Sequence, residues 1–129
     1  MTKPLPELSI VPSAPGALSA EGRLAGDEVA LKIAGHGDIA QAKMVGDLLQ
    51  RAHSIALRSH VKRVAVDFRE LNFMSSACFK QFVSWMSQID ALPKEDQYRV
   101  HITSSPAQRW QRTSLTALTC FAIGVMTFE

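Results

Sequence analysis

The sequence predicts an α/β domain: a mixed, mostly parallel β-sheet that opens with an antiparallel hairpin and carries about three to four helices. Three observations point there. Short β-branched runs alternate with amphipathic stretches along most of the chain. Gly26-Asp27 separates two strand-like runs as a hairpin turn would. The run RVAVDF, Arg63 to Phe68, reads as a short strand of the buried parallel type, bounded by charge.

The elements follow in order. Residues 1 to 6 hold two prolines and are expected to be a loose, flexible end, with a single domain over 7–129. ELSIV (Glu7–Val11) is short and bounded by prolines, which predicts a first strand. PSAPG turns the chain, and Glu28–Ala34 is a clearer strand after the hairpin turn. Asp38 has the character of an N-cap. Behind it Met44, Val45, Leu48, Leu49, Ala52, Ile55 and Ala56 fall at spacings of three and four, so a helix is predicted over 39–58. Gly46 inside that helix suggests close packing. A second helix is predicted over 76–91, with Phe79, Phe82, Val83, Met86 and Ile89 inward and Lys80, Gln81, Ser84, Ser87 and Gln88 outward. YRVHIT is the next strand. Pro106 suits the first turn of a third helix, and FAIGVMTF supplies a last strand.

Composition bounds the function. The chain has 129 residues, enough for one core. It is 47% hydrophobic and 20% charged, as ordinary globular proteins are. A net charge of +2 makes no demand for nucleic acid or an anionic membrane, and the basic cluster Arg58, His60, Lys62, Arg63 reads as a solvated turn. Cys78 and Cys120 form no Cys-x-x-Cys pair and lie among apolar neighbours, so both are expected to act as small hydrophobes. No pair of the histidines His36, His53, His60 and His101 has zinc-ligand spacing with a third ligand beside it, so no metal or other cofactor is expected. The amino-terminal residues lack the apolar run of a signal peptide, and no apolar segment is long enough to span a bilayer. The expectation is a cytoplasmic protein without a transmembrane segment.

One run carries more. VAVDFRELNFMSSACF, Val64 to Phe79, resembles without a gap the STAS-domain pattern of a strand V-V-L-D-L, then S-G-L-T-F-L-D-S-S-G-L, then a helix. Asp67 falls on the strand-end aspartate, Phe73 and Met74 on the apolar pair and Phe79 on the leucine. LKIAGHGDI is similar to that family's strand-ending glycine and following aspartate, here Asp38. HITSSPAQRWQRTSL is similar to its strand, Ser-Pro and third helix. The resemblance spans roughly residues 27–129 and implies a STAS-like fold. In the family pattern the second serine of D-S-S-G accepts phosphate from a partner kinase. In the ungapped register that position is Ala77, with Ser76 on the first serine, Ser75 on the aspartate and Cys78 on the glycine. A one-residue shift would place Ser76 at the acceptor, but it breaks the match of Phe73 and Met74.

Ser75 and Ser76 therefore have two main readings: helix N-caps, or phosphorylation sites at a helix N-terminus, where the dipole tolerates the added charge. Nucleophilic catalysis lacks a G-x-S-x-G elbow. Asp38, Asp67 and Glu70 could form an acidic site only by convergence. Trp110 is expected to anchor the third helix. Trp85, beside the apolar stripe, has two readings: packing at the edge of the core, or an interface anchor standing half out of it.

What the resemblance implies is a non-enzymatic, anti-sigma-factor-antagonist-like domain of bacterial type. Such a domain would bind a serine kinase, anti-sigma factor or phosphatase-type regulator in a partner-switching pathway of transcription control. The expected surface is His36, Gly37, Asp38, Ser75, Ser76, Ala77, Lys80 and Trp85. The alternative is a STAS-type sensory module holding a small molecule or lipid, or a subunit of a transport assembly.

Overall fold

In the computed structural model, which describes residues 2–129, burial alternates along the central strands. Val29, Leu31 and Ile33 are buried while Ala30, Lys32 and Ala34 are half-exposed. The same holds for Val64 and Val66 against Ala65 and Asp67, and for Val100 and Ile102 against His101 and Thr103. Period-two burial means that helices cover one face only. This corrects the reading of RVAVDF as a strand buried on both sides: Ala65 extends its apolar run without being covered.

The strands are β1 (Thr2–Pro4), β2 (Ser19–Ala25), β3 (Glu28–Gly37), β4 (Arg63–Asp67), β5 (Leu71–Met74), β6 (Arg99–Thr103) and β7 (Met126–Phe128). The helices are α1 (Ala42–Arg58), α2 (Ser76–Asp90) and α3 (Arg109–Phe121). The sheet runs β1-β2-β3-β4-β6-β7, antiparallel through β3 and parallel from β3 onward. Val29, Val64, Val100 and Met126 are successive register partners, so one buried row crosses four strands. Gly26, at φ +63°, makes the β2–β3 hairpin turn as expected.

The amino-terminal segment departs from expectation. ELSIV is not a strand: Pro6–Leu8 is a 3₁₀ turn, with Pro6 in its first turn, and Ile10 makes only an isolated bridge to Ala20. Thr2–Pro4, read as a loose end, instead pairs with Arg23–Ala25; Met1 lies outside the described residues. The cause is burial. Leu5 and Leu8 enter the core, and a Cβ on Gly22 would come within 2.7 Å of Leu8, so the chain must fold back on the sheet edge.

The helices mostly follow their stripes. α1 buries Val45, Leu48, Leu49, Ala52, Ile55 and Ala56, though Met44 is exposed. A Cβ on Gly46 would come within 2.5 Å of the Gln81 side chain, in keeping with the close packing suggested there. α2 buries Cys78, Phe82, Trp85, Met86 and Ile89, while Phe79 and Val83 sit at the edge. α3 begins at Arg109, three residues later than Pro106 suggests. It buries Gln111, Leu115 and Leu118, and Trp110 is only half-buried at the core margin. Cys120, expected inside, is exposed, as are Phe121 and Ile123. The last strand shrinks to Met126–Phe128. No helix among the described residues is long and apolar enough to cross a membrane.

Candidate functional site

The segment between β4 and α2, read as a connection, is a strand. β3 has ten residues and uses two partners in turn. Its first half pairs with β4, its last three residues with β5, and a register shift separates Gly35 from His36. Gly35 allows this change. Its φ is +91°, and a Cβ there would lie 2.1 Å from the Ala17 carbonyl oxygen. The outcome is that the carboxyl ends of β3 and β5 finish side by side, each followed at once by a helix start.

Two hydrogen bonds tie the two starts together, and three more cap them. The Ser75 N–H donates to the Gly37 carbonyl at 2.7 Å. The Ser75 hydroxyl accepts from the Cys78 N–H at 3.2 Å, capping α2. Cys78 Sγ, buried, donates to the Asp38 carbonyl at 3.2 Å. Asp38 Oδ1 accepts from the Ile39 N–H at 2.8 Å and its own N–H donates to Gln41 Oε1 at 3.0 Å, a capping box on the 3₁₀ turn Ile39–Gln41 that leads into α1. Ser75→Ala is expected to cost about 1 kcal/mol of stability, the usual worth of such a cap. Urea denaturation checks it, and an unchanged midpoint would contradict the cap.

Three side chains remain unengaged around this weld. Ser76 is exposed in the first turn of α2, Lys80 is exposed one turn on, and His36 stacks on Phe73 with centroids 4.5 Å apart. Gly37 is buried and Ala77 half-buried. Large apolar residues stand out beside them: Ile39 is 70% exposed, Met44 46% and Phe73 40%. The sequence places Ile39 in the expected docking loop Gly35–Ile39 but marks Phe73 only as one of an apolar pair. Their exposure depends on the β3–β5 pairing, for which no short-range pattern exists.

Trp85 does not belong to this surface. It is fully buried, edge-on to Phe82, and its indole N–H donates to the Tyr98 hydroxyl at 2.8 Å. The Tyr98 O–H is then free to donate to His53 Nδ1, 2.6 Å away. A satisfied indole can go wholly inside, and that is why the expected anchor is a core residue. Burial pushes the Tyr98 hydroxyl's pKa up and lowers that of His53, which favours the neutral forms this chain of bonds requires.

The acidic residues do not converge. Asp38 serves its capping box. Asp67 accepts from the Arg69 backbone and guanidinium at 2.9–3.0 Å, and Arg69 holds its carboxyl below the usual range. Glu70 pairs with Lys32, which raises the Lys32 ammonium. His101 reaches Thr127 and Glu129 at 2.7 and 3.0 Å. No cluster among the described residues has three or more groups that could hold a metal ion. Asp38, Asp67, Glu70 and His101 thus each have a local structural partner.

Neither a protein-family model nor a curated protein matches the sequence. The structure does find a likeness. It superposes on the crystal structure of an anti-sigma factor antagonist from Mycobacterium paratuberculosis with a TM-score of 0.59, over 84% of this chain and 85% of that one, at 16% identity. The chain has the STAS-like α/β fold.

Proposed function

We propose that this STAS-like domain is a non-enzymatic docking module whose working surface is the welded pair of helix starts, Gly35–Ile39 and Ser75–Phe79. The partner class is a serine kinase, anti-sigma factor or related regulator in a partner-switching pathway. One observation carries the reading: exposed Ile39 and Phe73 flank an exposed, unengaged serine hydroxyl. Large apolar side chains left in water beside a rigid backbone mark an interaction site. The structural neighbour is an anti-sigma factor antagonist, which supports the partner class.

The same geometry sorts the serines. The Ser75 hydroxyl is occupied as a cap, and Ala77 has none to offer. Ser76 is therefore the acceptor in this reading. Phosphate there adds about −1.5 to −2 charges next to Phe73 and Ile39. Desolvating that charge against an apolar partner surface would drive the partner off. The test is incubation with purified kinases of the anti-sigma type and ATP, with phosphate mapped by mass spectrometry and binding followed by calorimetry. Phosphate is expected on Ser76, and Ser76→Asp is expected to weaken binding by about tenfold or more, roughly 1.4 kcal/mol. Unmodified Ser76 together with unchanged Ser76→Asp binding would remove the switch. Binding indifferent to Phe73→Ala and Ile39→Ala would remove the surface.

A further inference from the structure

A second concavity stands apart from those loops. Where the carboxyl ends of β6 and β7 meet the first two turns of α3, a cleft of about 610 Å³ opens, lined by Ser105, Arg109, Arg112, Thr113, Phe128 and Glu129, among others. That volume suits a small molecule. Arg109 and Arg112 are three residues apart on α3 and so share a face. Neither forms an ion pair among the described residues, whereas Arg58, Arg63 and Arg69 each do. The carboxylate of Glu129 is engaged by His101 Nε2 at 3.0 Å. The Ser105 hydroxyl oxygen accepts from the Ala107 N–H at 3.3 Å, which leaves its proton to be donated.

The supply of hydrogen bonds in the cleft is therefore lopsided. Two guanidinium forks and the hydroxyl protons of Ser105 and Thr113 are on offer, against a single lining carboxylate, Glu129, whose Oε1 meets His101. Phe128, half-buried, and Pro106 add an apolar wall. Guanidinium forks match the paired oxygens of phosphate, and a third oxygen can take a hydroxyl. We propose that this cleft binds a small phosphomonoester whose organic body is apolar or aromatic. The proposal is independent of the docking reading, since it uses no residue of that surface.

Phenyl phosphate is a suitable probe, titrated into the ¹⁵N-labelled full chain and followed by amide shifts. Saturable shifts are expected at Ser104–Ser105, Arg109–Thr116 and Phe128, with a dissociation constant below about 1 mM. Arg109→Gln and Arg112→Gln, both at exposed positions and so neutral for folding, are each expected to weaken binding about tenfold. Inorganic phosphate is expected to bind more weakly than phenyl phosphate, and phenol not at all. Absence of saturation up to about 10 mM, or wild-type affinity in both variants, would overturn the site. Inorganic phosphate binding as tightly as phenyl phosphate would overturn the apolar body. Co-sedimentation with phosphatidic-acid vesicles, lost in Arg112→Gln, would identify a lipid headgroup as the source, and its absence alongside phenyl phosphate binding would identify a soluble ester.

Discussion

Gln111→Leu is expected to cost about 3 kcal/mol of unfolding free energy, several times an average core hydrogen bond. Gln111 is a polar side chain with no exposure at all. Its Nε2 donates to the Phe68 carbonyl at 2.7 Å and the Leu71 carbonyl at 2.8 Å. Its Oε1 accepts from the Ser105 N–H at 2.9 Å. One side chain on α3 thus closes the backbone of two connections, β4 to β5 and β6 to α3. Leucine has a similar volume, so the cavity contribution is small. The Ser105 N–H would lose this partner, and both carbonyls would lose a donor, though Phe68 keeps the Leu71 N–H at 3.0 Å. Each unsatisfied buried group costs about 1–3 kcal/mol. The measure is the denaturant midpoint at constant slope, with a fall in melting temperature of roughly 10 °C. A loss below about 1 kcal/mol would mean that water replaces the side chain.

Trp85→Ala is expected to cost about 3–5 kcal/mol, the range for emptying a buried aromatic site. Against a typical total of about 5–15 kcal/mol that is a large share of the stability, and at the low end of the range it leaves the variant partly unfolded at room temperature. Trp85→Phe separates the contributions. It keeps most of the ring but removes the N–H donated to Tyr98, and about 1–2 kcal/mol is expected. Tyr98 is itself buried, so its oxygen finds no water instead. A surface anchor would behave in the opposite way, with wild-type stability and damaged partner binding. Thermal melts of the two variants therefore decide between core and interface without any partner in hand.

The elements with a clear period were legible in the sequence. α1, α2, β4, β6 and the Gly26 turn fall where spacing and turn chemistry put them. Trp85 was misplaced because helical spacing alone puts it at the edge of a stripe centred on Phe79 and Val83. The buried face instead includes Trp85, whose indole N–H meets the hydroxyl of Tyr98, a residue just ahead of β6 and far from α2 in any local pattern. β5 was invisible for a related reason. Only Leu71 of its four residues is buried, so it has no alternation to read. Thr2–Pro4 similarly takes its strand from β2 alone. Gln111 carries no short-range mark of burial; its role exists only once the three backbone groups around it are placed. For the candidate site, Ser75 as a cap was legible from its position before an amphipathic run. The exposure of Ile39 and Phe73 was not.

The exchange of partners along β3 also divides the sheet in time. The β4 ladder holds Glu28–Lys32, and a different, shorter ladder holds Gly35–Gly37. Breaking the second does not require breaking the first. The end that carries Asp38 and Ser76 is therefore expected to open at a lower free energy than the β4 ladder. On the docking reading proposed above, a sheet that opens in two stages would offer Ser76 to a kinase at a fraction of the cost of melting the domain.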